Sequence, residues 1–402
     1  MTTFAQKLAF HALHNIQGGR IVITMPDGSV HHFGKEDEHP SEPIYIQIND
    51  VKVFSLIVSR GDIGVAESYF KNYWHTEDLE SFLHLAIKNR NALEALIYGS
   101  WWGSLIYQVK HLFNKNTKSG SKKNIEAHYD LGNNFYSLWL DPTMMYSSAL
   151  FAGDSDKTLE QAQKDKCKRI LSSLNNQTGD HILEIGCGWG GFMKEAQAND
   201  IHVDAITLSK EQYRFVQEQL THSSSSKPEE QQKSEVLLKD YRDCQKQYDG
   251  IVSIEMFEAV GEDYWPTYFK TLHRCLKPGK RAVIQSIVID ESLFPKYRKK
   301  TDFIQQYIFP GGMLPAVSVF EKHAADVGLR VKDKFHFGED YAKTLRTWAV
   351  EFNQKLHDVK ALGFKDEFVR LWNFYLFYCA AGFSGKDIDV VQFTLEKPLY
   401  ES

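Results

Sequence analysis

From residue 125 onward, short apolar runs of strand length alternate with stretches of helical period. The runs His181–Ile185, His202–Leu208, Glu235–Leu238, Gly250–Ile254, Arg281–Ile289 and Val390–Leu395 read as strands, with helical stretches between most of them. That alternation predicts a parallel, doubly wound α/β sheet. Residues 291–350 interrupt the rhythm with aromatic, Gly-Pro-containing, helix-like sequence and are expected to form a lid or substrate-pocket insertion. Before residue 110 the pattern is α+β. A helix over Thr3–Ile16 precedes strands Arg20–Met25 and Val30–Phe33 around the turn Pro26-Asp27-Gly28, a strand pair Ile44–Ile48 and Val51–Val58 flanks Asn49-Asp50, and helices follow from Val65 to Arg90. The expected organisation is an α+β domain over 1–112, a basic linker over 113–124 and a larger α/β domain over 125–402.

The junction has its own character. Residues 95–113, ALIYGSWWGSLIYQVKHLF, are apolar but interrupted by Gly and Ser, as in a docking or surface helix. Residues 114–124, NKNTKSGSKKN, carry four lysines and no acid. They form either a solvated tether or, with the aromatic helix beside them, a contact with anionic lipid headgroups, to which each basic residue adds roughly 1 kcal/mol. The Ser-rich stretch 220–234 reads as a flexible loop without chemistry.

Composition narrows the class. The chain of 402 residues is longer than the usual single domain, and 43% apolar with 25% charged residues is ordinary for a soluble globular protein. No run approaches the roughly 20 apolar residues of a membrane span. The amino terminus has neither a basic leader before an apolar block nor a small-residue cleavage site, so a cytoplasmic address is expected. Five scattered cysteines without C-x-x-C pairing suggest neither a disulfide framework nor a zinc site, and no metal is expected. The net charge of −5 argues against bulk nucleic-acid binding. The 26 Phe, 19 Tyr and 8 Trp fit a large core or a deep apolar pocket.

The segment Ile182-Leu-Glu-Ile-Gly-Cys-Gly-Trp-Gly-Gly191 follows a strand and opens a helix, so its glycines let backbone approach a ligand at the strand's carboxyl end. Gly186, Gly188 and Gly191 also satisfy the dinucleotide fingerprint G-x-G-x-x-G. Glu184 tips the balance, because an acid two residues before the first glycine suits the cationic amino group of a methionine moiety. The end of the second strand offers Thr207-Leu-Ser-Lys-Glu-Gln212, which begins a helix without the acidic strand-end residue expected for an NAD ribose. S-adenosylmethionine is the expected ligand.

With these stretches, Ala127-His-Tyr-Asp-Leu131, Leu140-Asp-Pro-Thr143, Tyr146-Ser147, Asp240-Tyr-Arg242, Phe257-Glu258, Tyr307-Ile-Phe-Pro-Gly-Gly312 and Asp340-Tyr-Ala-Lys-Thr-Leu345, the chain resembles the cyclopropane-fatty-acyl-phospholipid synthases and their mycolic-acid methyltransferase relatives. Gly64-Val-Ala-Glu-Ser-Tyr69 and Tyr73-Trp74 extend the resemblance into the first domain. It implies a class I methyltransferase, Rossmann-like sheet with a smaller, lipid-associating α+β domain. It implies an enzyme peripheral to the inner face of a membrane, a homodimer by analogy, that moves a one-carbon unit from S-adenosylmethionine onto a cis double bond of a phospholipid acyl chain. The alkene attacks the sulfonium methyl, a carbocation forms, and a bound bicarbonate ion takes the proton that closes the ring.

By resemblance, bicarbonate is held by Glu258, Tyr341, backbone at Ile287, a cysteine and a histidine. Here Ser148 stands at the cysteine position and Gln285 at the histidine position, and Ala259 replaces a histidine common after the glutamate. Serine and glutamine keep hydrogen-bonding capacity. For the cofactor, Glu184, Gly186, Gly188 and Gly190 are expected at the methionine end, Thr207, Leu208 and Gln212 at the ribose, Tyr241 and Arg242 at the adenine, with Tyr146 and Ser147 closing over it. His128 is either functional or a structural hydrogen bonder. In the segment Ser253-Ile-Glu-Met-Phe-Glu-Ala-Val-Gly261, Glu258 anchors the proton acceptor, whereas Glu255 is expected nearer the cofactor. The same cation losing a different proton gives a methylene- or, with a reductase, methyl-branched chain. A non-catalytic protein that senses lipid or S-adenosylmethionine is the remaining alternative.

Overall fold

The structure is a computed structural model that describes residues 3–35, 42–97, 131–224 and 234–399. The lysine-rich stretch 114–124, most of the aromatic segment 95–113, His128 and the centre of the Ser-rich loop lie outside these residues. The chain divides into two compact units, one formed by residues 1–113, 296–310 and 348–387, the other by 114–295, 311–347 and 388–402.

In the first unit, strands β1 (Ile21–Thr24), β2 (Val30–Phe33), β3 (Ile44–Ile48) and β4 (Trp74–His75) form a sheet of order β2-β1-β3-β4. Strand β3 alternates buried Ile44, Ile46 and Ile48 with exposed Tyr45 and Gln47, the two-residue period of a half-buried strand. The run Val51–Val58, expected as a strand, instead forms the N-cap (Val51) and most of the helix Lys52–Arg60. Asp50 decides the matter: its Oδ1 accepts from Lys52 N at 2.9 Å and its carbonyl from Val53 N at 3.1 Å, starting a helical turn. The next helix, Asp62–Phe70, packs so closely that a Cβ on Gly64 would meet Leu56 O at 2.2 Å, which explains the glycine there. The helix Asp366–Ser384 joins this unit through Arg370, whose Nε and Nη2 donate to the carbonyls of Tyr69 and Trp74 at 2.7 and 2.8 Å.

The second unit is built on β5 (His181–Ile185), β6 (His202–Thr207), β7 (Glu235–Leu238), β8 (Tyr248–Ile254), β9 (Leu276–Ile289), β10 (Arg330–His336) and β11 (Ile388–Glu396). Their order is β10-β11-β9-β8-β5-β6-β7. Strands β5 to β9 pair in parallel, and the six predicted runs all fall within observed strands except for the last residue of the second. The parallel sheet expected from the alternation is present from β5 to β9, and at one edge β11 runs antiparallel to both β9 and β10. Strand β10 escapes sequence reading because RVKDKFH is largely exposed and charged, as suits an edge that must not recruit another strand. The core is densest around β5, β6, β8 and β9, where Ile182, Val203, Ala205, Val252 and Val283 are buried with Cys167 and Ile170 of the helix Leu159–Leu174. The parallel strands place all their carboxyl ends on one edge, where ligands of such sheets bind.

Candidate active site

The glycine turn leaves β5 after Ile185. Gly186 N and Cys187 N both donate to Ile206 O, at 3.0 and 3.1 Å, and fix the turn against the end of β6. Gly190 N donates to Cys187 O at 2.9 Å, and the helix Gly191–Gln197 begins. Gly186 has φ +85°, and a Cβ there would meet Met256 Cγ at 2.8 Å, so the turn abuts the chain directly after β8. A Cβ on Gly191 would meet Met145 Cγ at 2.6 Å and Thr143 O at 2.9 Å, which sets the Thr143–Ser148 segment against the same turn. Tyr146 stands in an aromatic cluster, its ring 5.3 Å from Tyr136 and 5.6 Å from Trp139, while Trp189 of the turn lies 4.9 Å from Tyr136. Gly188 lies between Cys187 and Trp189.

At the end of β6, Thr207 Oγ1 donates to Gln212 Oε1 at 2.8 Å, and Leu208 is half-buried. Beyond β7, Tyr241 packs edge-on against Tyr268 at 5.5 Å. Arg242 is engaged by Asp240, with Nε donating to Oδ1 at 2.8 Å and Nη2 to Oδ2 at 2.6 Å. The residues expected for methionine, ribose and adenine thus lie at or just beyond the carboxyl ends of β5, β6 and β7.

The second cluster forms where β8 stops. Glu255, the next residue, has φ +50°, a left-handed conformation that costs a non-glycine residue roughly 1 kcal/mol or more. Its backbone N still donates to Gln285 O at 2.8 Å. Its carboxylate collects three donors distant in sequence: Oε1 accepts from Ser148 N at 2.8 Å and Gln285 Nε2 at 2.7 Å, and Oε2 accepts from Tyr341 OH at 2.5 Å. The amide of Gln285 is oriented by its neighbour on β11, since Gln392 Nε2 donates to Gln285 Oε1 at 3.0 Å. The short turn Phe257–Ala259 then brings Glu258 back to β9, where its Oε1 accepts from Ile287 N at 2.5 Å, past the last residue that pairs β9 with β8. Glu258 Oε2 is buried and makes no hydrogen bond.

Lys166 adds a buried charge. It is fully buried on the helix Leu159–Leu174, and its Nζ donates to Ser147 Oγ at 2.6 Å. Burial lowers its pKa, against the pull of nearby acids that include Glu255 and Glu184. Burial pushes Glu184 well above the usual carboxylate range, only partly countered by Lys166. Burial also raises Glu255, opposed by the Tyr341 hydroxyl, Lys166, Ser148 N and Gln285. Glu258 is pushed up to about 8, first by burial and then by the charge on Glu255. Glu255 and Glu258 are nevertheless half-buried when taken as whole residues. At neutral pH this arrangement favours one charge and one proton on the pair, with the charge on Glu255, where the donors are.

The model of the mycolic acid cyclopropane synthetase family matches residues 116–393. The chain belongs to this family. It is 35% identical over 344 residues to the tuberculostearic acid methyltransferase UfaA1 of Mycobacterium tuberculosis, covering 83% of this chain and 79% of the relative. It is 33% identical over 358 residues to the cyclopropane-fatty-acyl-phospholipid synthase of Escherichia coli K12, covering 88% and 87%. Among solved structures, the mycolic acid cyclopropane synthase CmaA1 complexed with SAH and CTAB superposes with a TM-score of 0.63 at 33% identity, covering 69% of this chain and 98% of that one. With the family come the class I methyltransferase fold and the reaction class: an S-adenosylmethionine-dependent C-methyltransferase of the cyclopropane synthase type.

The site fits the family's cofactor. Glu184 Oε2 is a buried oxygen without a hydrogen bond, beside the glycine turn, and its raised pKa marks it as short of a cationic partner. The family's bicarbonate fits less well, because Ser148 N, Gln285 Nε2 and Tyr341 OH already serve Glu255. Two members of the site went unassigned in the sequence. Lys166 shares the buried stripe Ala162, Gln163, Lys166, Cys167, Ile170, and a lysine on an apolar helix face is a legible signal. Glu255 is visible in the sequence as an acid after β8, but its role rests on partners 30 to 107 residues away, which no local pattern reveals. Among the described residues no group of His, Cys, Asp and Glu is arranged to hold a metal ion, and no helix is long and apolar enough to cross a membrane.

Proposed function

We propose that the protein adds a one-carbon unit from S-adenosylmethionine to a cis double bond in a phospholipid acyl chain and closes it to a cyclopropane. The observation that carries this reading is the acid pair Glu255 and Glu258 beside the glycine turn, one carboxylate held by three donors and the other with a free buried oxygen. S-adenosylmethionine, when bound, supplies an electrophilic methyl group. Glu184 holds its amino group, Gly186, Gly188 and Gly190 line its methionine end, Thr207, Leu208 and Gln212 its ribose, and Tyr241 and Arg242 its adenine, with Tyr146 and Ser147 closing over it. Orientation against the double bond supplies much of the rate, since an alkene is a weak nucleophile. Aromatic faces can stabilise the cation that follows by cation–π attraction of about 1 to 2 kcal/mol.

A second reading has support of its own in the likeness to the tuberculostearic acid methyltransferase. There the same cation loses a different proton and leaves a methylene- or methyl-branched chain. In either case the substrate lies in a bilayer, and the lysines of 114–124 offer a peripheral contact with it. The test is cofactor turnover with vesicles of defined phospholipid: S-adenosylhomocysteine should form with cis-monounsaturated chains and not with saturated ones. Equal formation with both sinks the reading.

A further inference from the structure

The resemblance assigns the proton acceptor to a bicarbonate ion held by Glu258, Tyr341, backbone at Ile287 and the residues at positions 148 and 285. Four of these five positions are tied to side-chain carboxylates of the chain itself. Ser148 through its backbone N, Gln285 through Nε2 and Tyr341 through OH all donate to Glu255, while Ile287 N donates to Glu258. Bicarbonate and a glutamate side chain share the functional part, a planar pair of oxygens bearing one negative charge. Glu255 presents that pair within 2.5 to 2.8 Å of three donors. The conformation points the same way: a left-handed glutamate at a strand end is strained, and the three hydrogen bonds hold it there.

We infer that Glu255 is itself the catalytic base of this enzyme, standing where a free bicarbonate ion would otherwise be bound. The inference rests on the acyl-lipid reading above. A C–H bond of the transferred methyl breaks, its electron pair forms the last carbon–carbon bond of the ring at the cationic carbon, and the proton goes to a Glu255 carboxylate oxygen. The proton then leaves to water when product departs. Tyr341, Gln285 and Ser148 act as positioning groups: they keep the carboxylate ionised and aimed. Gln392 fixes the amide of Gln285, so that its NH2 rather than its oxygen faces Glu255. A histidine at position 285 serves a free anion; with the anion built into the chain, the neutral amide of Gln285 suffices, and position 148 contributes only its backbone N, since Ser148 Oγ donates to Ala149 O.

The test compares turnover on cis-unsaturated phospholipid vesicles in buffer stripped of carbon dioxide and in buffer with added bicarbonate. The wild type should turn over equally in both, within about twofold. Glu255→Ala, which removes the carboxylate and leaves room for an anion, should lose roughly 100- to 10,000-fold. Added bicarbonate should restore part of that loss, while Glu255→Gln, which fills the space, should not respond. Wild-type turnover that collapses without bicarbonate and returns with it overturns the inference, and this arm needs no variant to fold. Wild-type turnover in Glu255→Gln overturns it as well. A wild type that forms no product in either buffer overturns the acyl-lipid reading itself, a distinguishable result.

Discussion

Replacing Glu258 with glutamine keeps the size of the side chain and removes its ability to ionise. In the folded protein Glu258 holds its proton up to about pH 8, against an ordinary value of 4.5, because it is buried and faces Glu255. A carboxyl group raised on folding contributes stability that is fully present below about pH 4.5 and lost as the pH rises through about 8. At about 1.4 kcal/mol per pH unit the total change approaches ~5 kcal/mol, an upper figure because Glu255 and Glu258 titrate together. Glu258→Gln should therefore have a constant offset, set by the cost of its buried NH2, and a growing relative gain in stability from pH 5 to 8 that levels off above. The assay is chemical denaturation of wild type and variant at about pH 5, 6, 7, 8 and 9, roughly one-unit spacing across the window. Parallel pH dependences for the two proteins would show that Glu258 ionises normally and would remove the basis for placing the pair's single charge on Glu255.

Three further outcomes follow from the same geometry. Binding of S-adenosylmethionine at neutral pH should release a proton as Glu184 gains a cationic partner, seen as a dependence of binding heat on buffer ionisation enthalpy; Glu184→Gln should abolish that release and weaken binding roughly 10-fold or more. Tyr341→Phe removes a donor that favours the ionised form of Glu255, so the acid limb of the turnover-versus-pH profile should move to higher pH, and an unmoved limb argues against the contact. Gly191→Ala drives a Cβ into Met145 and Thr143 O, and should cost about 1–3 kcal/mol in stability together with much of the cofactor affinity, which thermal unfolding and a binding titration would measure.

The legible parts of this molecule are those whose signal is local. Alternation of apolar runs identified β5, β6, β7, β8, β9 and β11, and the turn Ile185-Gly186-Cys187-Gly188 announced a ligand loop because backbone there must approach a neighbour closely. The helix Lys52–Arg60 was misread because Val53, Phe54, Ile57 and Val58 suit either period, and the arbiter, Asp50 at its start, lies outside the apolar run. Strand β10 was missed because its pairing with β11 depends on backbone partners rather than on side chains that need burial. For the site, the family motifs carried Glu258, Tyr341, Gln285 and Ser148, yet not the fact that three of them meet at Glu255. The register of β8 against β9, Ile254 beside Gln285, brings that carboxylate to the Gln285 amide, while Ser148 and Tyr341 reach it from other parts of the chain.

The most direct check on the functional account is mass analysis of the acyl chains after reaction with a phospholipid carrying a single defined cis double bond. The account predicts a chain heavier by one methylene unit, with the double bond gone and a three-membered ring at its former position. A heavier chain that retains a double bond contradicts ring closure in favour of the branched product, and an unchanged chain contradicts the account altogether.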